Sequence, residues 1–276
     1  FLSRATGGID TGLENSSRLL VLNIPLAASF RATEALTIGG GVDAVWQGLN
    51  LNLLLGADQV GSLIGASRVS GSLLPVLGGL PDLRGAHFSL TRNAPLASGV
   101  SAWGYTGRVG MTYALTQATR LGAAYTTRSR VADMEGRATL TAIDGVAGQI
   151  PLGGKIRIRD FQMPAVANLG VSHRVNDQLT LAADVSRVFW SSVMKDIKVG
   201  FVADAGGDLN ILLPQNYKDQ TILAMGAAWQ MDSRWTLRGG LRLAQQALSS
   251  STLFAVIPAT PRKHVSVGVG YALSPS

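Results

Sequence analysis

The strongest constraint on this chain is a two-residue alternation that reverses direction at tight turns, and residues 219–243 show it most plainly. Ahead of a turn at Met231, Asp232, Ser233 and Arg234, the residues Leu223, Met225, Ala227 and Trp229 share one parity, opposite Ala224, Gly226, Ala228 and Gln230. After it, Trp235, Leu237, Leu241 and Leu243 oppose Thr236, Arg238, Gly240 and Arg242. Successive side chains of a strand point to opposite faces, so this is a hairpin with one apolar and one polar face. A soluble hairpin alternates too, but here a tryptophan flanks the turn on each apolar run, where a bilayer interface holds aromatics.

The design recurs along the chain. Leu22, Ile24, Leu26, Ala28 and Phe30 lead through a turn at 31–34 to Leu36, Ile38, Val42, Ala44 and Trp46, opposite Thr37, Gly39, Gly41, Asp43 and Gln47. Trp103, Tyr105, Val109, Met111 and Tyr113 oppose Arg108 and its neighbours, and Leu121, Ala123, Tyr125 and Thr127 oppose Arg128 and Arg130 in a strand that runs on toward Leu140. Phe161, Met163, Ala165, Ala167, Leu169 and Val171 then face outward, followed by Leu179, Leu181, Ala183 and Val185 opposite Asp184; a last strand sets Val265, Val267, Val269 and Tyr271 against His264 and Ser266. Tight turns alternate with long connections at 48–98, 143–157, 191–218 and 245–261. The first of these is rich in leucine, with short helices expected at 60–64 and 70–77.

These runs predict an all-β chain, an antiparallel transmembrane β-barrel of nine visible strands with short helices in a long extracellular loop. The aromatics agree: Phe30, Tyr113, Trp229, Trp235 and Tyr271 gather at the short-turn ends of the apolar face, and Trp46, Trp103, Tyr105 and Trp190 at the other. A soluble β-sandwich explains the alternation but not two aromatic girdles. Charged residues make up only 15% of the chain, against about a quarter in soluble domains, and no apolar run is long enough for a spanning helix. The net charge of +7 comes from scattered Lys and Arg without interleaved aromatics, which argues against nucleic-acid binding. The chain has no cysteine, so thiolate metal sites and cysteine nucleophiles are excluded. His87, His173 and His264 lack metal-ligand spacing, and no catalytic residue, metal or cofactor is expected. Nine strands run the first and last in the same direction, so direct closure would require a parallel pair, unlike the even, antiparallel barrels of bacteria.

Residues 22–46, 103–131, 161–191, 217–241 and 257–273, in that order and with those connections between them, resemble the FadL-like outer-membrane transporters of long-chain fatty acids and aromatic hydrocarbons. The resemblance implies a fourteen-stranded barrel with an interior hatch, of which residues 1–276 are a single domain, either a fragment truncated at both ends or a member with unusual ends. It also implies an outer-membrane protein of a Gram-negative bacterium that acts as a monomeric barrel, with the lipid bilayer and a hydrophobic small molecule as partners. Its expected activity is passive uptake of hydrophobic compounds; a structural or adhesive surface protein is the alternative.

By the same resemblance, residues 48–98 occupy the place of the family's apolar extracellular loop, with Leu63, Ile64, Leu73, Leu74, Val76 and Leu77 lining a ligand groove or packing the loop on the rim. Fatty-acid members carry basic residues at two pocket positions where this chain has Leu53 and Leu213, which points toward neutral apolar ligands. The inward residues Asp43, Arg108, Arg128, Asp184, Arg238 and Arg242, with Arg130, are expected to form a polar network that fills the lumen.

Overall fold

The computed structural model describes residues 10–90, 99–248 and 262–273. The 91–98 stretch of the first long connection and 249–261 of the fourth lie outside them. Nine long strands form an antiparallel wall in sequence order: β1 (Ser16–Arg31), β2 (Leu36–Gly56), β5 (Val100–Ala114), β6 (Thr119–Thr126), β10 (Val166–Arg174), β11 (Leu179–Val188), β14 (Gln220–Gln230), β15 (Trp235–Ala244) and β16 (Lys263–Tyr271). They are the nine alternating runs of the sequence. The first and last strands, β1 and β16, do not pair with each other among the described residues.

Apolar side chains cover the outer parity of this wall. Leu26 is 80% exposed, Leu223 50% and Val267 83%. In a soluble protein such a continuous apolar face would be an aggregation surface; toward lipid it is the stable arrangement. The Trp235 and Tyr271 rings meet at a tilt with centroids 4.7 Å apart beside the short turns, while Trp46 and Trp103 are cross-strand partners near the opposite end.

Strand length decides what happens above the bilayer. A tilted strand crosses in about 9–11 residues. β6, β10, β11, β14, β15 and β16 are close to that length, whereas β1 has 16 residues, β2 has 21 and β5 has 15. The upper part of β2 exchanges one partner for another: up to Leu49 it pairs with β5, and from Asn52 it pairs with β4 (Leu83–Ser89). The sheet therefore forks. The second branch continues from β4 through β8 (Met134–Asp144), β9 (Gly148–Arg159), β12 (Asp196–Ala203) and β13 (Asp208–Pro214) to the two-residue β3 (Val69–Ser70). Helices α1 (Ala57–Gly65) and α2 (Leu74–Gly78) sit at its edge, close to the expected positions.

Three expectations are corrected here. Residues 48–56 belong to β2 rather than to a loop, and the connections at 143–157 and 191–218 are largely β8, β9, β12 and β13. Their pattern is hard to recognise because the polar and apolar faces exchange above the membrane, as described below. The strand through Arg128 does not continue to Leu140. It ends at Thr126, and after a three-residue break β7 (Arg130–Val131) pairs with Gly104 and Tyr105 of β5. A Cβ on Gly104 would lie 2.2 Å from the carbonyl oxygen of Arg130, so glycine is what lets this segment close on β5.

Candidate functional site

The inward parity of β2 carries Asp43, Val45 and Gln47, then Leu49, Leu51, Leu53 and Leu55. Within the bilayer the inner face is polar and small; above it the same face is entirely leucine. The second branch does likewise. Ile156 and Ile158 of β9, Ile197, Val199 and Phe201 of β12, and Leu209, Ile211 and Leu213 of β13 are buried on one face. The alternate residues Glu135, Arg137, Lys155, Arg157, Lys198 and Asp208 lie on the other. The chain is thus apolar-out and polar-in across the membrane, and polar-out and apolar-in beyond it.

The apolar inner faces enclose a cavity of about 370 Å³, within the usual range for small-molecule sites. Leu49, Leu51, Leu53 and Leu55 form one side, and Ile197, Val199, Ile211 and Leu213 form another; Phe88, Leu90, Ile156 and Ile158 close it between them. Phe161 and Met163 also line it. Both were expected to face lipid. The segment 161–165 is not strand, because Pro164 has no N–H for a ladder and the side chains of Gln162 and Ser129 hold the backbone instead. Gln162 accepts from Val131 N at 2.8 Å and donates to Val131 O at 2.8 Å, and Ser129 Oγ accepts from Met163 N at 2.7 Å. Gln47 Nε2 donates to Phe161 O at 2.6 Å, fixing Phe161 from below.

Trp190 is likewise inside rather than in the outer girdle: it lines the cavity and meets Tyr217 edge-on at 5.5 Å. Burial raises the Tyr217 phenol above its ordinary pKa, so it stays neutral. Polar groups in the lining are few: Ser17, Gln215, Gln220, Arg242 and His264, of which Gln215 is buried. Arg242 and His264 face each other across β15 and β16 and are both exposed, at the rim of the cavity.

Leu53 and Leu213 come together in this cavity, each about 5% exposed. The six loop positions do not line it. Leu63 and Leu73 are buried in the surrounding core and Leu74 and Leu77 pack against it, whereas Ile64 and Val76 are exposed. The expected lumen network is not one network. Asp43 and Arg108 form an ion pair, with Asp43 fully buried. Asp184 lies against Gly170, where a Cβ would sit 2.2 Å from its Oδ1, and Arg238 lies against Gly270. Arg242 belongs to the cavity. Arg128 and Arg130 leave the lumen altogether for a separate polar cleft, because the strand that would have turned them inward stops at Thr126. Among the described residues no cluster of three or more His, Cys, Asp or Glu could hold a metal.

The sequence model of the family described as "Outer membrane protein transport protein (OMPP1/FadL/TodX)" matches residues 8–276. The chain belongs to this family. Its similarity to solved members is close: it is 45% identical to the Ralstonia pickettii toluene transporter TbuX, with a TM-score of 0.85, covering 99% of this chain and 64% of that one. To the Pseudomonas putida toluene transporter TodX it is 41% identical, with a TM-score of 0.86 over 99% of this chain and 65% of that one. Outer membrane protein P1 of Haemophilus influenzae is 27% identical over 260 residues, 94% of this chain and 54% of that protein, so the chain spans about half the length of this relative. As a family member it is an outer-membrane β-barrel protein of the Gram-negative envelope. Sequence reasoning missed most of the chamber lining, Phe161, Met163, Trp190 and His264 among it; Pro164 after an alternating run was the available signal for the first two.

Proposed function

We propose that this chain forms the wall and the ligand chamber of a channel for passive uptake of hydrophobic compounds, neutral monoaromatic hydrocarbons in particular. The observation that carries this is the exchange of faces above the bilayer, which builds an enclosed apolar chamber from buried leucine, isoleucine and phenylalanine. A structural wall has no use for such a chamber, because a filled core is more stable than an empty one. Apolar ligands gain about 25 cal/mol per Å² of surface removed from water, and a chamber this size accepts a single aromatic ring.

The preference for neutral ligands rests on Leu53 and Leu213. Both are buried in the chamber, and neither can hold a carboxylate by a charge-assisted hydrogen bond. Arg242 and His264 stand at the exposed rim, where water screens them. The similarity to toluene transporters supports the same reading.

Uptake of a labelled monoaromatic hydrocarbon by cells lacking and then carrying the protein tests it. Faster uptake that saturates, and that falls when Leu53 is replaced with Arg, is the expected result. Unchanged uptake in cells carrying the folded protein would leave only the structural or adhesive reading.

A further inference from the structure

The fork in the sheet leaves a gap on the outside of the wall. β6, β10 and β11 end together, with Thr126, Val166 and Val188 in register. Above that point residues of the chain segments 128–132 and 192–198, with Asp160 and Gln162, line a polar cleft of about 700 Å³. Arg128, Arg130, Lys195 and Lys198 line it, against two carboxylates, Asp160 and Asp196.

Both carboxylates are already engaged. Asp160 accepts a hydrogen bond from Lys198; that bond, with Arg159 and Arg128 nearby, holds its carboxyl below the usual range. Asp196 is paired with Arg68 at 2.7 Å. Among the described residues, Arg128 and Lys195 form no salt bridge, Arg128 lying near Asp160 without pairing to it, and Arg130 has only the Tyr105 hydroxyl at 3.4 Å. Three cations thus face the cleft without an ion pair of their own, and its lining carries four cations against two carboxylates.

The height of the cleft is fixed by Tyr105. It lies on the lipid-facing parity of β5, is half-exposed, and its hydroxyl receives Arg130. Tyrosine hydroxyls on that face mark the level of lipid headgroups. On the inner side of the same segment Ser129 and Val131 are buried, so the arginines on either side of Ser129 can only turn outward. We propose that this cleft binds the phosphate of an outer-leaflet lipid headgroup. Clustered cations at the headgroup level attract anionic lipids, and guanidinium groups hold phosphate oxygens by paired, charge-assisted hydrogen bonds. A bound headgroup would anchor the wall at the place where neighbouring strands stop pairing. This site is separate from the apolar chamber and does not depend on its ligand.

Native mass spectrometry of the whole protein in non-ionic detergent tests it. The probes are an outer-leaflet glycolipid bearing phosphates, the same lipid with its phosphates removed, and inorganic phosphate. The phosphorylated lipid should remain bound. Loss of its phosphates, or the variant R128Q/R130Q/K195Q, should weaken retention at least tenfold. The variant R137Q/R157Q, which removes outward cations already paired to Asp204 and Glu135, should bind as the wild type does. Equal binding of the two lipids by the wild-type protein would overturn the proposal even if the triple variant failed to fold. So would unchanged binding by a folded triple variant. Occupancy by inorganic phosphate that the lipid cannot displace would show a free-phosphate site instead and would also overturn it.

Discussion

Asp43 and Arg108 lose different amounts when the other is removed. Asp43 has almost no exposed side chain, and Arg108 keeps 43% of its side-chain surface. Arg108→Ala leaves a buried, uncompensated carboxylate, which costs about 3–5 kcal/mol. Asp43→Ala leaves an arginine that water can reach, a cost nearer to about 1 kcal/mol. Urea unfolding of the refolded protein should therefore place the Arg108→Ala midpoint well below that of Asp43→Ala; equal midpoints would mean that the carboxylate is hydrated. A second contrast separates the two faces of β15. Leu241 points to lipid and Arg238 to the lumen, so Leu241→Arg should cost about 2–4 kcal/mol near the midplane. Arg238→Leu should cost much less. The folded fraction on semi-native gels measures both, and comparable losses would contradict the assigned parity. These parities were legible in the sequence, because alternation within one environment is local information. The fates of Arg128 and Arg130 were not: they depend on a strand ending at Thr126, which is set by Gln162 and Ser129 more than thirty residues apart.

The hairpin of β8 and β9 closes on a three-residue turn that Asp144 organises. Its carboxylate accepts from Ala147 N at 2.8 Å, Val146 N at 2.9 Å and, across to the start of β4, Asp82 N at 2.8 Å. The Ala147 amide does most to hold this carboxyl below the usual carboxylate range; Asp82, Val146 and Arg84 add to it, and burial opposes. A carboxyl with a depressed folded pKa contributes stability that is complete above its unfolded value, about 3.9. That contribution is lost as pH falls through the lower folded value. The 144–148 turn should therefore resist an acid-stable protease at pH 5 and become cleavable only well below about pH 4. Asp144→Asn should be cleaved at both pH values; acid resistance unchanged by the substitution would remove Asp144 from this role. This hairpin was expected to be a glycine-rich connection. The expectation failed because Gly145, Gly148, Gly153 and Gly154 dilute the pattern, and because the apolar parity here marks an inner face rather than a lipid face. Gly154 is required for packing: a Cβ there would lie 2.3 Å from the Val202 carbonyl oxygen and 2.7 Å from the Phe201 ring.

At the scale of the whole molecule, two solvents act on one sheet. Lipid selects apolar side chains outside and leaves the lumen polar; the aqueous side reverses the preference, so the extended strands bury their leucines inward. The nine-stranded wall was visible in the sequence because lipid imposes one rule over nine similar segments. The chamber was not visible, because most of its apolar lining comes from β2, β4, β9, β12 and β13, with the rest from connections and other strands far apart in sequence, and these meet only through the fork. Only Leu53 and Leu213 were identified beforehand, and through family resemblance rather than through pattern. If the chamber is as apolar as its lining, its ligand preference is the sharpest test. Competitive binding of a monoaromatic hydrocarbon and a long-chain fatty acid to the whole protein, followed through the fluorescence of Trp190, measures it. The hydrocarbon should be preferred by at least about tenfold, or about 1.4 kcal/mol, with the preference reversed in Leu213→Arg; wild-type preference for the acid would contradict a chamber built for neutral ligands.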